Sequence, residues 1–526
     1  MIVGAGSAGC VIANRLSENG RYSVAILEAG GRDSNPWIHI PVGYFKTMGN
    51  PSTDWRYVTE SDPGINGREI PWPRGRVLGG SSSINGLLYV RGQAQDYDQW
   101  AQMGNLGWSW DDVLPYFIRS ENWQGDSGTE RGTSGPLSVS PTRLRRDVVD
   151  KWIEAAVAAG YKENHDYNGA DQEGVGYFQL TMDRGRRCSA AVAYLKPARG
   201  RTNLEILTYA QAQQLVIENK RVTGVVIDHK GETKTVTARR EVILSCGAIG
   251  SPQILMLSGI GDGDMLDRHG ISVTKELPGV GQNLQDHLQA RPVFKTDLST
   301  MNVEVSNIFK QGLIALEYLA KRSGPMTMAA SLGTGFLKTE PHMETPDIQF
   351  HIQPFSATHP ADGPHKFSAF TASVLQLRPE STGHIALKSA NWRDHPAIHP
   401  NYLATETDQR TTVKGIQVAR KIAQHSPLKE HIIEEFSPGR DVEFDDYEGT
   451  LEWARQTAVT IYHPTGTCKM GQDKTAVVDA RLRVHGIEGL RVADASIMPV
   501  IVSGNTNAPA IMIGEKASDM ILEDAV

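Results

Sequence analysis

Gly4-Ala5-Gly6-Ser7-Ala8-Gly9 constrains the fold more than any other six residues of the chain. The apolar stub Met1-Ile2-Val3 precedes it, and a helix-like run from Cys10 to Leu16 follows. Between a strand and a helix, the first glycine makes the turn and the second lets backbone approach a pyrophosphate. The third lets the helix pack closely on the strand. The helix start offers its unpaired amides to the phosphates. Val24-Ala25-Ile26-Leu27 reads as a second buried strand ending in Glu28-Ala29-Gly30. Glu28 thus falls about twenty residues beyond the loop, where a carboxylate accepts ribose hydroxyls. Gly4, Gly6, Ser7, Ala8, Gly9, Glu28 and Ala29 are therefore expected at a dinucleotide. Gly279-Val280-Gly281-Gln282-Asn283 lacks a third glycine and reads as a loop, so one dinucleotide is expected, not two. The motif alone leaves FAD and NAD open. The strand stub is short enough that residues are expected to precede Met1, and a phosphate loop this early leaves no room for a signal peptide.

A second signal lies at the far end. His463 sits in Tyr462-His463-Pro464-Thr465-Gly466-Thr467, where proline and the following turn hold it stiffly outside any regular strand. Asn505 and Asn507 lie in Gly504-Asn505-Thr506-Asn507-Ala508-Pro509, just before an apolar helix-like run. A neutral histidine is a base and an amide is a hydrogen-bond donor. Together they suit removal of a hydroxyl proton and retention of the alkoxide, provided another group takes a hydride.

Composition narrows the alternatives. The chain has 526 residues, of which 40% are hydrophobic. That is about three times a typical domain length, so two large domains are expected. A formal net charge of −7 disfavours a nucleic-acid partner. Cys10, Cys188, Cys246 and Cys468 are scattered without paired spacing, which supports neither a metal site nor a disulfide framework. A reducing, cytoplasmic setting is expected, with peripheral association at a membrane left open.

Two further segments carry a family resemblance: Gly75-Arg76-Val77-Leu78-Gly79-Gly80-Ser81-Ser82-Ser83-Ile84-Asn85, and Gly247-Ala248-Ile249-Gly250-Ser251-Pro252 running on to Ser258-Gly259-Ile260-Gly261. With the two ends of the chain, they resemble the glucose–methanol–choline (GMC) oxidoreductases over its whole length. The resemblance implies an α/β fold: a Rossmann-like FAD-binding domain with a second, α+β substrate domain on a mostly antiparallel sheet. It implies oxidation of an alcohol by hydride transfer to flavin N5, with His463 as general base and Asn505 holding the alkoxide. Arg76, Gly79, Gly80, Ser81, Ser82, Asn85, Gly86, Asp494, Ala495 and Asn507 are carried over as cofactor contacts. Asp494 also reads as a simple turn cap. Ile84 departs from those members that attach flavin through a histidine at this place, so FAD is expected to be non-covalent. The electron acceptor is a quinone, another carrier or oxygen. An oxygen-using oxidase and a non-redox lyase on the same fold are the alternatives.

The resemblance divides the chain into an FAD domain of residues 1–140, 187–290 and 455–526 and a substrate domain of 141–186 and 291–454. Strand-like runs at Pro346 to Ile352, Ala369 to Leu377 and Gly383 to Leu387 fit the second, with helices over Asn307 to Lys321 and Thr407 to His425. The substrate is expected to be a primary alcohol or polyol without a required charge. His351 alternates along an apparent strand as a pocket residue, and His287 reads as structural. Arg184-Gly185-Arg186-Arg187 reads as a solvated face, or else as a contact for an acidic group or a membrane surface. Gly125 to Gly135 reads as a surface loop near the site entrance.

Overall fold

Five parallel strands carry the N-terminal motif. They are β1 (Ile2–Val3), β2 (Val24–Glu28), β3 (Leu204–Thr208), β4 (Val242–Leu244) and β5 (Leu490–Val492), side by side in the order β3-β2-β1-β4-β5. A computed structural model describes the chain except residues 127, 129, 359–362 and 526. The stub β1 is central: Ile2 faces Ile26 and Ile243, and Val3 faces Leu27 and Leu244. All these side chains are buried, as continuous apolar runs in a parallel sheet covered on both faces must be.

Helix α1 (Ser7–Glu18) follows the glycine loop and packs along the C-terminal helix α2 (Asn507–Asp524). Glu515 of α2 is fully buried yet charge-compensated. Arg15 and Arg119 both reach its Oε2 at 2.9 Å, and Tyr194 donates to Oε1 at 2.8 Å. The two ends of the chain are thereby fastened to one sheet.

A second core lies under an antiparallel sheet whose main path runs 432–437, 293–296, 369–376, 348–353, 333–337, 174–177. The helices Asp147–Ala158 and Glu406–Ala423 cover one face, burying Trp152, Ile416 and Ile422 against Phe350, Ile352 and Phe370. The alternate residues Gln349, His351 and Gln353 must then point to the other face, toward the flavin domain.

The helices run Ile308–Lys321 and Glu406–Ala423, and the strands Ile348–Gln353, Ala369–Gln376 and His384–Ala386, each within a few residues of its sequence expectation. Two pieces sit differently from the expected division. The hairpin of His384–Ala386 with Ala397–His399 buries Ile385 and Ile398 in the first core, although it falls within 291–454. Leu288–Ala290 and Val459–Thr460 belong to the antiparallel sheet. In the Gly125–Gly135 stretch Ser127 and Thr129 lie outside the described residues, but Arg131 is buried, paired with Glu121 and Asp166. That part is therefore anchored rather than a free surface loop. All four cysteines are unpaired. Among the described residues no helix is long and apolar enough to cross a membrane, and no cluster of metal-ligating side chains occurs.

Candidate active site

One cavity of about 1130 Å³ runs from the glycine loop to the face of the antiparallel sheet. It exceeds the roughly 300–1,000 Å³ usual for a small-ligand pocket, as a dinucleotide plus a substrate would require. At its nucleotide end Gly4, Gly6, Ser7 and Ala8 line the wall together with Glu28 and Ala29. The first turn of α1 has no side-chain cap, so its amides remain for a ligand. Gly9 is not at the wall. It packs the loop, since a Cβ there would lie 2.0 Å from the Gly4 carbonyl. Glu28 accepts from the amides of Ala5 at 3.0 Å and Gly30 at 2.8 Å. Burial pushes its carboxyl up to about 7 against those two bonds and Arg76.

The second glycine-rich turn closes on the first. Gly80, Ser81, Asn85 and Gly86 line the cavity. Gly80 has φ +52°, and a Cβ there would lie 2.7 Å from the Gly6 Cα. Gly80→Ala is therefore expected to push the phosphate loop out of place. With strain of about 1–3 kcal/mol it should weaken FAD retention roughly 5- to 150-fold, read as flavin absorbance per protein after desalting. Gly79 and Ser82 are one layer back. Gly79 holds φ +90°, and the Ser82 hydroxyl donates to the Gly79 carbonyl at 2.6 Å. Arg76 also stands behind the wall, over the Trp55 ring and donating to Gln211.

Arg187 departs from the solvated-face expectation. It is buried, donating to Asn85 Oδ1 at 2.7 Å, Ser82 O at 3.2 Å and Ile38 O at 2.7 Å. Burial pulls its guanidinium down to about 9. Asn85 Oδ1 also accepts from the Leu87 amide, so its oxygen is occupied and its amide NH2 is left for the cavity. The strand alternation of exposed Arg186 with buried Arg187 was the available signal.

Asp494 and Ala495 line the opposite wall. Asp494 caps the turn at Ala495–Ile497 through Ser496 N and also accepts from Gly247 N and Ser251 Oγ, so it serves as a cap at the cavity wall. Asn507 opens α2, and its Oδ1 accepts from Ser7 Oγ at 2.8 Å, joining the two helix N-termini at one point. Both helix ends favour negative charge there. Uncapped amides, glycines with no room for a side chain and an acid at the cavity wall fit FAD.

At the other end, Tyr462 is held in the left-handed region at φ +68°, which turns His463 toward the cavity. Asp286 fixes this turn, accepting from His463 N at 2.6 Å, Thr460 Oγ1 at 2.5 Å and Tyr402 OH at 2.5 Å. The His463 ring is bounded on both nitrogens. His463 Nδ1 is 3.0 Å from His287 Nδ1, and Nε2 is 3.0 Å from Asn505 Nδ2. His287 Nε2 lies 2.9 Å from the Leu377 carbonyl.

These contacts fix the protons. A carbonyl only accepts, so neutral His287 carries hydrogen on Nε2 and offers a lone pair at Nδ1. His463 must then donate from Nδ1, which leaves the Nε2 lone pair facing Asn505. Burial, then the neighbouring His287, His351 and Arg74, hold His463 well below the ordinary histidine value. Burial pulls His287 down to about 4. His287 is thus in contact with the candidate base, a role the sequence reading missed because 176 residues separate the two.

His351 lines the cavity, its Nε2 without a partner among the described residues and its Nδ1 3.4 Å from Ser331 Oγ. Burial, then His287, pulls it down to about 3. Gln349 Nε2 donates to Asn505 Oδ1 at 3.3 Å, which turns the Asn505 amide nitrogen toward His463.

Comparison with known proteins identifies the family. Family models described as GMC oxidoreductase match residues 1–289 and 379–514. An oxygen-dependent choline dehydrogenase of Brucella suis biovar 1 (strain 1330) is 43% identical, covering 99% of this chain and 95% of the relative. An alcohol dehydrogenase [acceptor] of Pseudomonas putida is 41% identical with the same coverage. The crystal structure of pyridoxine 4-oxidase from Mesorbium loti superposes with a TM-score of 0.90 at 30% identity, over 99% of this chain and 98% of that one.

Proposed function

The chain belongs to the GMC oxidoreductase family and is an FAD-dependent enzyme oxidising alcohols; from that premise we propose that His463 Nε2 is the base that takes the substrate's hydroxyl proton. The observation that carries this reading is the hydrogen-bond chain from the Leu377 carbonyl through His287, which leaves an unprotonated nitrogen at the cavity wall. Asn505 Nδ2 donates to the hydroxyl oxygen and stabilises it as it becomes an alkoxide, an electrostatic contribution set in place before reaction. Gln349 and His287 are positioning residues, acting through Asn505 and His463. Bound FAD supplies the hydride acceptor. Ile84 lines the cavity and has no nucleophile, so FAD is held non-covalently there. The division into FAD and substrate domains holds as a proposal, with the 384–399 hairpin reassigned to the FAD side.

The substrate end is cationic. Arg291 lines the cavity beside Tyr44 and Tyr462, and among the described residues no carboxylate pairs with it. Its Nε and Gln289 Oε1, Gln349 Oε1 and His351 Nε2 are buried without partners. Buried polar atoms without partners are rare, and three at one cavity wall, on Arg291, Gln289 and His351, imply a ligand or waters that satisfy them. The substrate is therefore an alcohol with a second polar group, a polyol or hydroxy acid, and a quaternary ammonium is disfavoured. At a separation of about 6 Å, two like charges in a partly buried site repel by about 3 kcal/mol. Arg291→Gln is thus expected to raise kcat/KM for choline about 10- to 100-fold relative to the uncharged 3,3-dimethylbutan-1-ol. An unchanged ratio contradicts a charge-selecting Arg291.

An alcohol panel with dye and with oxygen as acceptor tests the reading. Turnover with dye and not oxygen marks a dehydrogenase, and rapid reoxidation in air an oxidase. The second remains the alternative because relatives with oxygen-dependent activity are similar along nearly the whole chain.

A further inference from the structure

The helix Ile308–Lys321 turns its apolar face to solvent. Ile308, Phe309, Leu313, Leu316 and Leu319 are each 63–81% exposed. On a 3.6-residue helical repeat they fall within one arc of about 140°. Tyr318, on the far side, is the only buried residue of the helix, and its hydroxyl donates to the Gly185 carbonyl at 3.0 Å. A helix fastened by one tyrosine with five large apolar side chains outward is not a core helix, and single exposed leucines would not make such a stripe.

Charge surrounds the stripe unevenly. On the same repeat Lys310 and Lys321 stand about 60° and 80° beyond the edge of the stripe, and Arg322 ends the helix in the left-handed region at φ +54°. Exposed Arg184 and Arg186 stand on the adjoining hairpin through Gly185. Against these five cations the same surface carries Asp183 and Glu317, in a chain whose formal net charge is −7. The helix is linked to the cavity wall through two turns. It packs on the turn Pro325–Thr327, which packs on Pro41–Gly43, and the next residues, Tyr44 and Phe45, line the cavity.

We propose that this helix is a membrane-docking surface: it lies in the interface of an anionic bilayer, apolar side chains inserted and the flanking lysines and arginines on the headgroups. An interfacial helix needs this combination of a large apolar face and basic edges. A second copy of the chain fits less well, because a two-fold contact through this face sets the same cations against one another. Docking brings this side of the cavity to the lipid surface. There a lipid-soluble electron acceptor enters without crossing bulk water, a consequence that rests on the reading of the cavity given above.

Co-sedimentation of the flavin-loaded protein with vesicles tests this. We expect binding to phosphatidylcholine–phosphatidylglycerol vesicles and much weaker binding to phosphatidylcholine alone, with the difference removed by salt. The triple variant F309S/L313S/L316S, altered only at exposed positions, should lose at least ten-fold in vesicle affinity. R184E/R186E/K321E should lose the preference for anionic lipid. Both should keep wild-type alcohol turnover with a soluble dye. No sedimentation of the wild type with either vesicle overturns the proposal, as does unchanged binding by the triple variant. A wild-type dimer in light scattering that the triple variant converts to monomer assigns the face to a second copy and also overturns it. Vesicle binding without any alcohol turnover would instead contradict the reading of the cavity and leave docking intact.

Discussion

His463→Ala is expected to keep its flavin and to lose alcohol-driven flavin reduction by about 10²- to 10⁴-fold, the range a general base supplies. Flavin retention follows because the nucleotide loops contact the cofactor region at the far end of the cavity from His463. The rate loss follows because no other cavity residue offers a nitrogen lone pair fixed by a directional chain. His351 is the nearest rival, but its Nδ1 contact with a serine hydroxyl at 3.4 Å leaves its tautomer undirected. The wild-type pH profile carries the same logic. The base must be neutral, and burial holds His463 below the ordinary value of 6.5. Reduction should therefore be flat above pH 6.5 and fall only below it. A midpoint at or above 6.5 would contradict a buried, neutral base.

Asn505→Asp is the second large effect. The substitution keeps the size of the side chain and an oxygen for the Gln349 bond, but it removes the Nδ2 donor facing His463 Nε2. A structural asparagine would tolerate it. An alkoxide-stabilising one would not, since loss of a single such donor costs about 10²- to 10³-fold in kcat. The new carboxylate beside Nε2 also favours the imidazolium. The acid limb of the profile should accordingly move to higher pH, which separates lost catalysis from lost folding. Unchanged kcat with a raised KM alone would make Asn505 a binding residue.

The nucleotide end was the most legible part of the chain because its constraint is local. Gly4, Gly9 and Gly80 are glycines since backbone passes too close to backbone to admit a Cβ, and spacing records that directly. His463 was legible through its Pro-Thr-Gly-Thr context. Its partner His287 was not, because the contact depends on how the 288–290 and 459–460 strands pair. Arg187 and Arg291 were missed for a related reason. A cation in a sequence reads as solvated, and only the packed sheet shows that both are desolvated. The Asn307 to Lys321 segment read as a helix, but periodicity says which residues share a face and not what covers it. The 384–399 hairpin misled by position: it lies between substrate-domain elements in sequence and packs in the other core.

The central claim is that an alcohol in this cavity gives its proton to His463 as its carbon gives up hydride. Anaerobic rapid mixing of the flavin-loaded protein with a turned-over alcohol, undeuterated and dideuterated at the carbinol carbon, tests it most directly. Flavin should bleach, more slowly with the deuterated alcohol, and His463→Ala with equal flavin content should bleach at least a hundred-fold more slowly still. Bleaching of the variant at the wild-type rate would contradict the account.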